Sequence, residues 1–249
     1  MMFGPQKLVA VASLVAEFAA QVTAEATPPL KYGLVMFPAV ELQDGIGPID
    51  PLQILAAKHN MTLYILAETM QPVSSQIPIG VTPFAPSILP THTFADAPDD
   101  IQVLIVPGGP GVRDLQTSAS AEAYIRATHP KLEHLITICT GSILAGRAGA
   151  LDGKLATTNK SAWKSLTPSV PGVKWVAPAR WIRDGNVWSS SGVLSGIDLI
   201  HAWIKVMFGD EEEQRIAGLT EYIPQTSQCD EPYTARFNIT PTADKCIEE

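Results

Sequence analysis

Apolar runs of strand length alternate with helically spaced stretches along most of this chain. Residues 31–37 are almost continuously apolar and stop at Pro38, as a first buried strand would. Residues 62–67, 101–106 and 134–138 repeat that pattern, and the third run ends in Pro107-Gly108-Gly109-Pro110-Gly111. Between the runs, residues 52–59 and 118–128 carry helical spacing. The first of these helices is expected to open with Asp50 as N-cap and Pro51 at its first position. Residues 73–84 alternate with Pro and Gly and read as a hairpin excursion, and residues 94–98 as a loop. Beyond residue 138 the pattern predicts a helix of small residues over 142–151, a strand over 155–158 and a short helix over 162–166. Extended segments over 173–176 and 180–183 lead to the turn Asp184-Gly185 and a strand over 186–191. A long apolar helix over 194–208 follows Gly192. Another begins at Asp210-Glu211-Glu212-Glu213, whose charges suit a solvated helix start. After Pro224 the chain reads as an irregular tail. Strands alternating with helices predict an α/β fold, a mostly parallel sheet covered on both faces, with a site at the carboxyl ends of its strands.

Composition narrows the function classes. The chain has 249 residues, 46% hydrophobic, and a net charge of −8. That length suits one α/β domain, and the acidic balance argues against nucleic acid as a partner. No internal repeat, basic run, CxxC or HExxH spacing occurs, so no metal site is expected. The apolar run over residues 8–16 is too short to cross a membrane. With one positive charge before it and Val22-Thr23-Ala24 after it, it reads as a signal peptide over 1–24, leaving Glu25 as the first mature residue. Residues 25–30 are then a linker, 31–225 the domain and 226–249 the tail. Asn60, Asn159 and Asn238 each head a glycosylation sequon, in a chain with only four Asn. Cys229 and Cys246 could pair in an oxidising compartment. These features predict secretion. A retained leader would place the protein inside the cell.

The candidate chemistry centres on Ile138-Cys139-Thr140-Gly141-Ser142, where a strand turns into a helix. That is the nucleophile-elbow arrangement, with Cys139 where hydrolases often carry Ser. A helix N-terminus stabilises a thiolate, so Cys139 is expected to ionise more readily than a free cysteine. The N–H of Thr140 points near any anion formed on a bound substrate. Gly108 and Gly109 end a neighbouring strand. They let a backbone approach a ligand closely, and an N–H there could join that of Thr140 in orienting it. Asp44, after the first strand, could carry a proton for the thiol. Each residue also has a plainer reading: Cys139 as a small buried hydrophobe, the glycines as a tight turn, Asp44 as a surface loop acid.

Taken together, Asp44…Gly47-Pro48-Ile49-Asp50, Val106-Pro107-Gly108-Gly109-Pro110-Gly111, Ile138-Cys139-Thr140-Gly141-Ser142 and Ala156-Thr157-Thr158 resemble the ThiJ/PfpI (DJ-one/PfpI) superfamily, with isonitrile hydratases the nearest likeness. The resemblance spans roughly residues 31–222. It implies a flavodoxin-like three-layer sandwich, usually a homodimer, with a reactive elbow cysteine, no metal and no cofactor. It also implies a small-molecule substrate, Cys139 attacking an isonitrile carbon, Asp44 as acid and base, and Gly109 and Thr140 orienting the substrate. One departure stands out. Many relatives read Ala-Thr-Thr-His-Trp where this chain has Ala156-Thr157-Thr158-Asn159-Lys160. A histidine partner is missing at Asn159, which weighs against protease and amidotransferase chemistry. The five histidines (His59, His92, His129, His134 and His201) all lie away from these motifs. Two other functions known in the superfamily stay open: a glutathione-independent glyoxalase using the same cysteine, and a redox-sensing or stress-protective protein without catalysis. A transcription factor is disfavoured, because no helix-turn-helix or basic face follows residue 225.

Overall fold

The computed structural model describes residues 27–77, 79 and 83–242. The expected leader and Cys246 lie outside the described residues. A seven-stranded sheet runs through the centre in the order β10-β11-β7-β6-β1-β2-β5. Its strands are β1 (Lys31–Val35), β2 (Thr62–Ala67), β5 (His92–Thr93), β6 (Val103–Val106), β7 (His134–Thr137), β10 (Trp181–Asp184) and β11 (Val187–Ser190). All neighbours are parallel except β10 and β11, which form an antiparallel edge hairpin. Two small sheets flank it: β3 (Val73–Ser74) with β4 (Ser87–Ile88), an antiparallel pair whose return strand lies beyond the hairpin expected over 73–84, and β8 (Leu155–Ala156) with β9 (Lys174–Trp175). Helix α1 (Leu42–Leu55) packs on α5 (Val193–Phe208), which packs on α6 (Asp210–Thr220). Helix α2 (Leu115–Thr128) packs on α3 (Gly141–Arg147). Two short helices, α4 (Trp163–Leu166) and α7 (Tyr233–Arg236), complete the set among the described residues. The fold is the expected helix-flanked, mostly parallel sheet. Every residue of β6 is buried, as a central parallel strand covered on both faces requires.

Two local expectations change, and the C-terminal segment gains contacts. The first helix starts at residue 42, not at Asp50, and runs through Pro48 and Pro51. Each proline removes one hydrogen bond to the carbonyl four residues back, a local cost that argues against a helix here. Packing reverses the balance: Ile49, Leu52 and Leu55 are all buried, each contributing about 1.5–3 kcal/mol. Asp44 therefore sits in the first turn of α1 rather than in a loop. The helix after Cys139 ends at Arg147, not residue 151; the chain turns at Gly149, which has φ +81°. The C-terminal segment is irregular apart from one helical turn, yet it is docked on the domain. It forms α7, and Ile239 buries itself against Trp163 and Ala177. Backbone bonds join Arg180 N–H to Gln228 O at 2.6 Å and Thr242 N–H to Ala177 O at 2.8 Å. Among the described residues no helix is long and apolar enough to cross a membrane.

Candidate active site

Strands β1, β6 and β7 are adjacent and parallel, so their carboxyl ends open on one edge. That edge brings together Asp44, Gly108, Gly109, Cys139 and Thr140. Cys139 follows β7 with φ +55°, a left-handed conformation that a side chain adopts only under strain, about 1–3 kcal/mol. Packing fixes the strained turn. Ser142 Oγ and Thr158 Oγ1 both donate to the Cys139 carbonyl, at 2.9 and 3.0 Å. A Cβ on Gly141 would lie 2.1 Å from Val106 O, so only glycine lets α3 start this close to β6.

The two glycines serve a different contact from the one expected. A Cβ on Gly108 would fall 2.6 Å from Thr140 N and 2.9 Å from Asp44 Oδ2; one on Gly109 would fall 2.3 Å from Glu41 N. They admit neighbouring protein backbone and the site's own side chains. Their N–H groups are also engaged. Gly108 N–H donates to Asp44 Oδ2 at 3.1 Å, and Gly109 N–H to Thr140 Oγ1 at 3.0 Å. The Thr140 N–H is directed at Cys139. The turn thus orients the Asp44 carboxyl and the Thr140 hydroxyl.

Asp44 is fully buried. One oxygen accepts from Gly108 N–H, and the other has no hydrogen-bond partner among the described residues. Burial pushes its carboxyl up to about 7, against the Cys139 thiol and Gly108 N–H, which pull it down. The Cys139 thiol is likewise raised, first by burial and then by the neighbouring Asp44 carboxylate. This corrects the expectation of a readily ionised cysteine. The helix terminus and the Thr140 N–H favour the thiolate, but desolvation and a like charge outweigh them in the resting site. The resting pair is a neutral thiol beside a carboxyl that can change state near neutral pH.

Two residues gain roles that the sequence did not disclose. Asn159 is the position of the absent histidine. Its Oδ1 accepts from Ser161 N–H at 2.8 Å and Ser161 Oγ at 2.6 Å, and its side chain donates toward Cys139. Asn60 and Asn238, the other two sequon residues, are exposed. Lys160, next in the chain, is 3% exposed. No sequence signal marks a lone lysine in a short polar stretch as buried. None of the five histidines faces Cys139: His201 pairs with Glu213, His134 packs on Trp203, His59 on Phe208 and His92 on Tyr64, while His129 caps α2. Among the described residues no cluster of His, Cys, Asp or Glu could hold a metal ion.

The sequence matches the DJ-1/PfpI family over residues 33–206. It is 31% identical over 195 residues to an isonitrile hydratase of Pseudomonas putida, covering 78% of this chain and 79% of that protein. Its fold is similar to that of a ThiJ/PfpI family protein from Pseudomonas syringae, with TM-score 0.67 and 22% identity over 86% of each chain. The fold is also similar to that of Drosophila melanogaster DJ-1beta, with TM-score 0.63 and 19% identity over 78% of this chain and 99% of that one.

Proposed function

The chain belongs to the DJ-1/PfpI family, and from that premise we propose that it is a cysteine-dependent hydratase that adds water to a small isonitrile, R–N≡C, to give an N-substituted formamide. The observation that carries this reading is the Cys139–Asp44 pair, a thiol beside a buried carboxyl with one unpartnered oxygen and a pKa of about 7. Such a carboxyl can take a proton and return it at neutral pH. The likeness to the isonitrile hydratase of Pseudomonas putida supports the choice of substrate.

The chemistry needs a nucleophile and one acid/base. Asp44 takes the thiol proton as the sulfur attacks the terminal carbon, then delivers that proton to the same carbon. The product is a thioimidate, R–N=CH–S–Cys139. Asp44, again a carboxylate, removes a proton from a water that attacks the thioimidate carbon and passes it to the nitrogen, giving R–NH–CH(OH)–S–Cys139, whose hydroxyl proton then goes to the sulfur. Collapse of the adduct breaks the C–S bond, releasing R–NH–CHO and regenerating the thiol. The Thr140 N–H and the Asn159 amide stabilise the sulfur as it gains charge. No imidazole is required, which fits a site with asparagine in the histidine position.

The test is direct. Purified protein is incubated with an aryl isonitrile and, separately, with methylglyoxal, and the products are followed by chromatography. The expected outcome is N-aryl formamide from the first, abolished by Cys139→Ala in a protein that keeps its fold. Lactate from methylglyoxal with no formamide from the isonitrile would overturn the hydratase reading in favour of a glyoxalase. Formamide formation by Cys139→Ala would remove the elbow thiol from the mechanism.

A further inference from the structure

Lys160 is a buried cation that the mechanism above does not use. Its ammonium donates to four oxygens: Thr157 Oγ1 at 2.8 Å, Ala179 O and Ser191 Oγ at 3.0 Å, and Thr158 O at 3.2 Å. It lies 5.2 Å over the face of the Trp163 ring. Among the described residues no carboxylate stands within ion-pair distance of it. Burying a charge this deeply is costly, and neutral dipoles recover only part of that cost. A lysine serving the fold alone would be expected to have a carboxylate beside it.

Two negative groups act on Lys160 across space: Glu231, buried just before α7, and Cys139 when it ionises. Glu231 is already held by Tyr233 N–H and the N–H of Thr234, at 2.6 and 3.1 Å, and by the Thr234 hydroxyl at 2.5 Å. Those donors are neutral and leave the Glu231 charge in place, so Lys160 is shared between that carboxylate and the elbow. Thr158 links the two sites physically: its carbonyl accepts from Lys160, while its hydroxyl donates to the Cys139 carbonyl. Asn159, whose amide faces Cys139, is the single residue between Thr158 and Lys160.

We propose that Lys160 is a positioning residue for Cys139: from behind the elbow it supplies the positive charge that favours the thiolate, and it anchors the Thr157–Asn159 segment that turns the Asn159 amide toward the sulfur. It moves no proton to or from substrate. The inference rests on Cys139 being the nucleophile but not on the identity of the substrate. Burial holds the Lys160 pKa near 8, so the charge is present at neutral pH and is lost above it.

The experiment reads thiol reactivity, which needs no substrate. Alkylation of the intact protein by iodoacetamide is followed against pH, with Cys139→Ser subtracted, for wild type, Lys160→Met, Lys160→Gln and Lys160→Arg. Circular dichroism checks each fold, and the glutamine keeps donors for the carbonyls if the methionine variant fails to fold. Both neutral variants are expected to react about tenfold more slowly at a fixed neutral pH, the equivalent of about one pKa unit. The arginine variant should stay within about threefold of wild type. A folded neutral variant whose profile overlays that of wild type overturns the proposal, as does an arginine variant as slow as the methionine one.

A second reading leaves the lysine in place. In Asp44→Asn, which removes the other nearby titration, the logarithm of the alkylation rate should rise with pH up to about 8 and break there. Thiolate with charged lysine and thiol with neutral lysine hold the same number of protons, so their ratio does not change with pH. Adding Lys160→Arg should carry the break out of range. A profile straight through pH 8, or a break that survives the arginine, overturns the proposal. If alkylation behaves as expected while no isonitrile is hydrated, the substrate assignment fails and the role of Lys160 stands.

Discussion

Asp44 and Asp198 are both carboxylates sealed inside this protein, yet their surroundings are opposite. Asp198, on α5, is satisfied on both oxygens. Oδ2 takes Arg180 Nε at 2.7 Å and Nη2 at 2.5 Å; Oδ1 accepts from Tyr222 OH at 2.6 Å and Gln225 N–H at 2.8 Å. Asp44 has one N–H on one oxygen, the Cys139 thiol beside it, and among the described residues no hydrogen bond that satisfies its other oxygen. The first arrangement ties the end of α6 and the following loop to the sheet edge at β10. The second leaves a carboxyl whose charge is poorly stabilised and whose proton is therefore exchangeable at neutral pH. A buried acid with every lone pair occupied holds structure together. One with a lone pair unoccupied beside a thiol is free for chemistry.

The largest expected effect comes from giving Asp44 the same size without the charge. Asp44→Asn should lower turnover by about a hundredfold or more, since positioned acid–base groups contribute about 10²–10⁴. It should leave Cys139 open to iodoacetamide. A raised folded-state pKa means that the native protein holds this proton more tightly than the unfolded chain. Stability therefore falls as pH rises from about 4 to about 7 and levels off above. At pH 8 the asparagine variant should thus be more stable than wild type, by at most about 4 kcal/mol for a shift of about three pKa units. Thermal melts at pH 5 and pH 8 check the sign. A variant no more stable at pH 8 than at pH 5, relative to wild type, would contradict the description of Asp44.

Asp198→Ala should do the reverse. Removing one member of a buried pair strands Arg180 and costs about 3–5 kcal/mol. Turnover per folded molecule should hold, because Asp198 touches none of the groups around Cys139. Urea unfolding beside active-site titration separates the two quantities. An activity loss as deep as that of Asp44→Asn would dissolve the contrast between the two acids.

The smallest effect concerns pH alone. Because Asp44 must be ionised to accept the thiol proton, kcat/KM for the isonitrile should rise toward about pH 7 and flatten above it. A profile flat from pH 5 to 8 would mean that another group moves the proton.

How far the sequence disclosed this molecule depended on the kind of signal. Strands covered on both faces write themselves as unbroken apolar runs, so β1, β6 and β7 were legible, and with them the edge on which the site opens. The elbow was legible because its turn falls between two strong patterns. Helix α1 was misplaced because local propensity argued against Gly45, Gly47, Pro48 and Pro51, whereas long-range packing on α5 decided the outcome. The glycines after β6 announced a close approach but not its partner. Asn159 was read as the loss of a histidine, although its amide still faces Cys139. Lys160 was illegible: two of its four acceptors lie on the distant residues Ala179 and Ser191, and nothing in the order of residues shows that they converge on it. The C-terminal segment, too polar to suggest burial, docks through a few backbone bonds and Ile239.

That docking has a consequence for how the protein is made. Synthesis proceeds from the N-terminus, so Asp44 and β1 leave the ribosome early and Cys139 midway. Strands β10 and β11 follow, and β11 pairs beside the elbow strand. Glu231, Ile239 and Thr242, which close over Trp163, Ala177 and the Lys160 neighbourhood, come out after all of these. A nascent chain halted before residue 226 would leave Trp163 and Ala177 uncovered and Lys160 without the nearby Glu231 charge. The neighbourhood of Lys160 is thus finished by residues about seventy positions further along the chain, and it takes its final form only once residues 231–242 have been made.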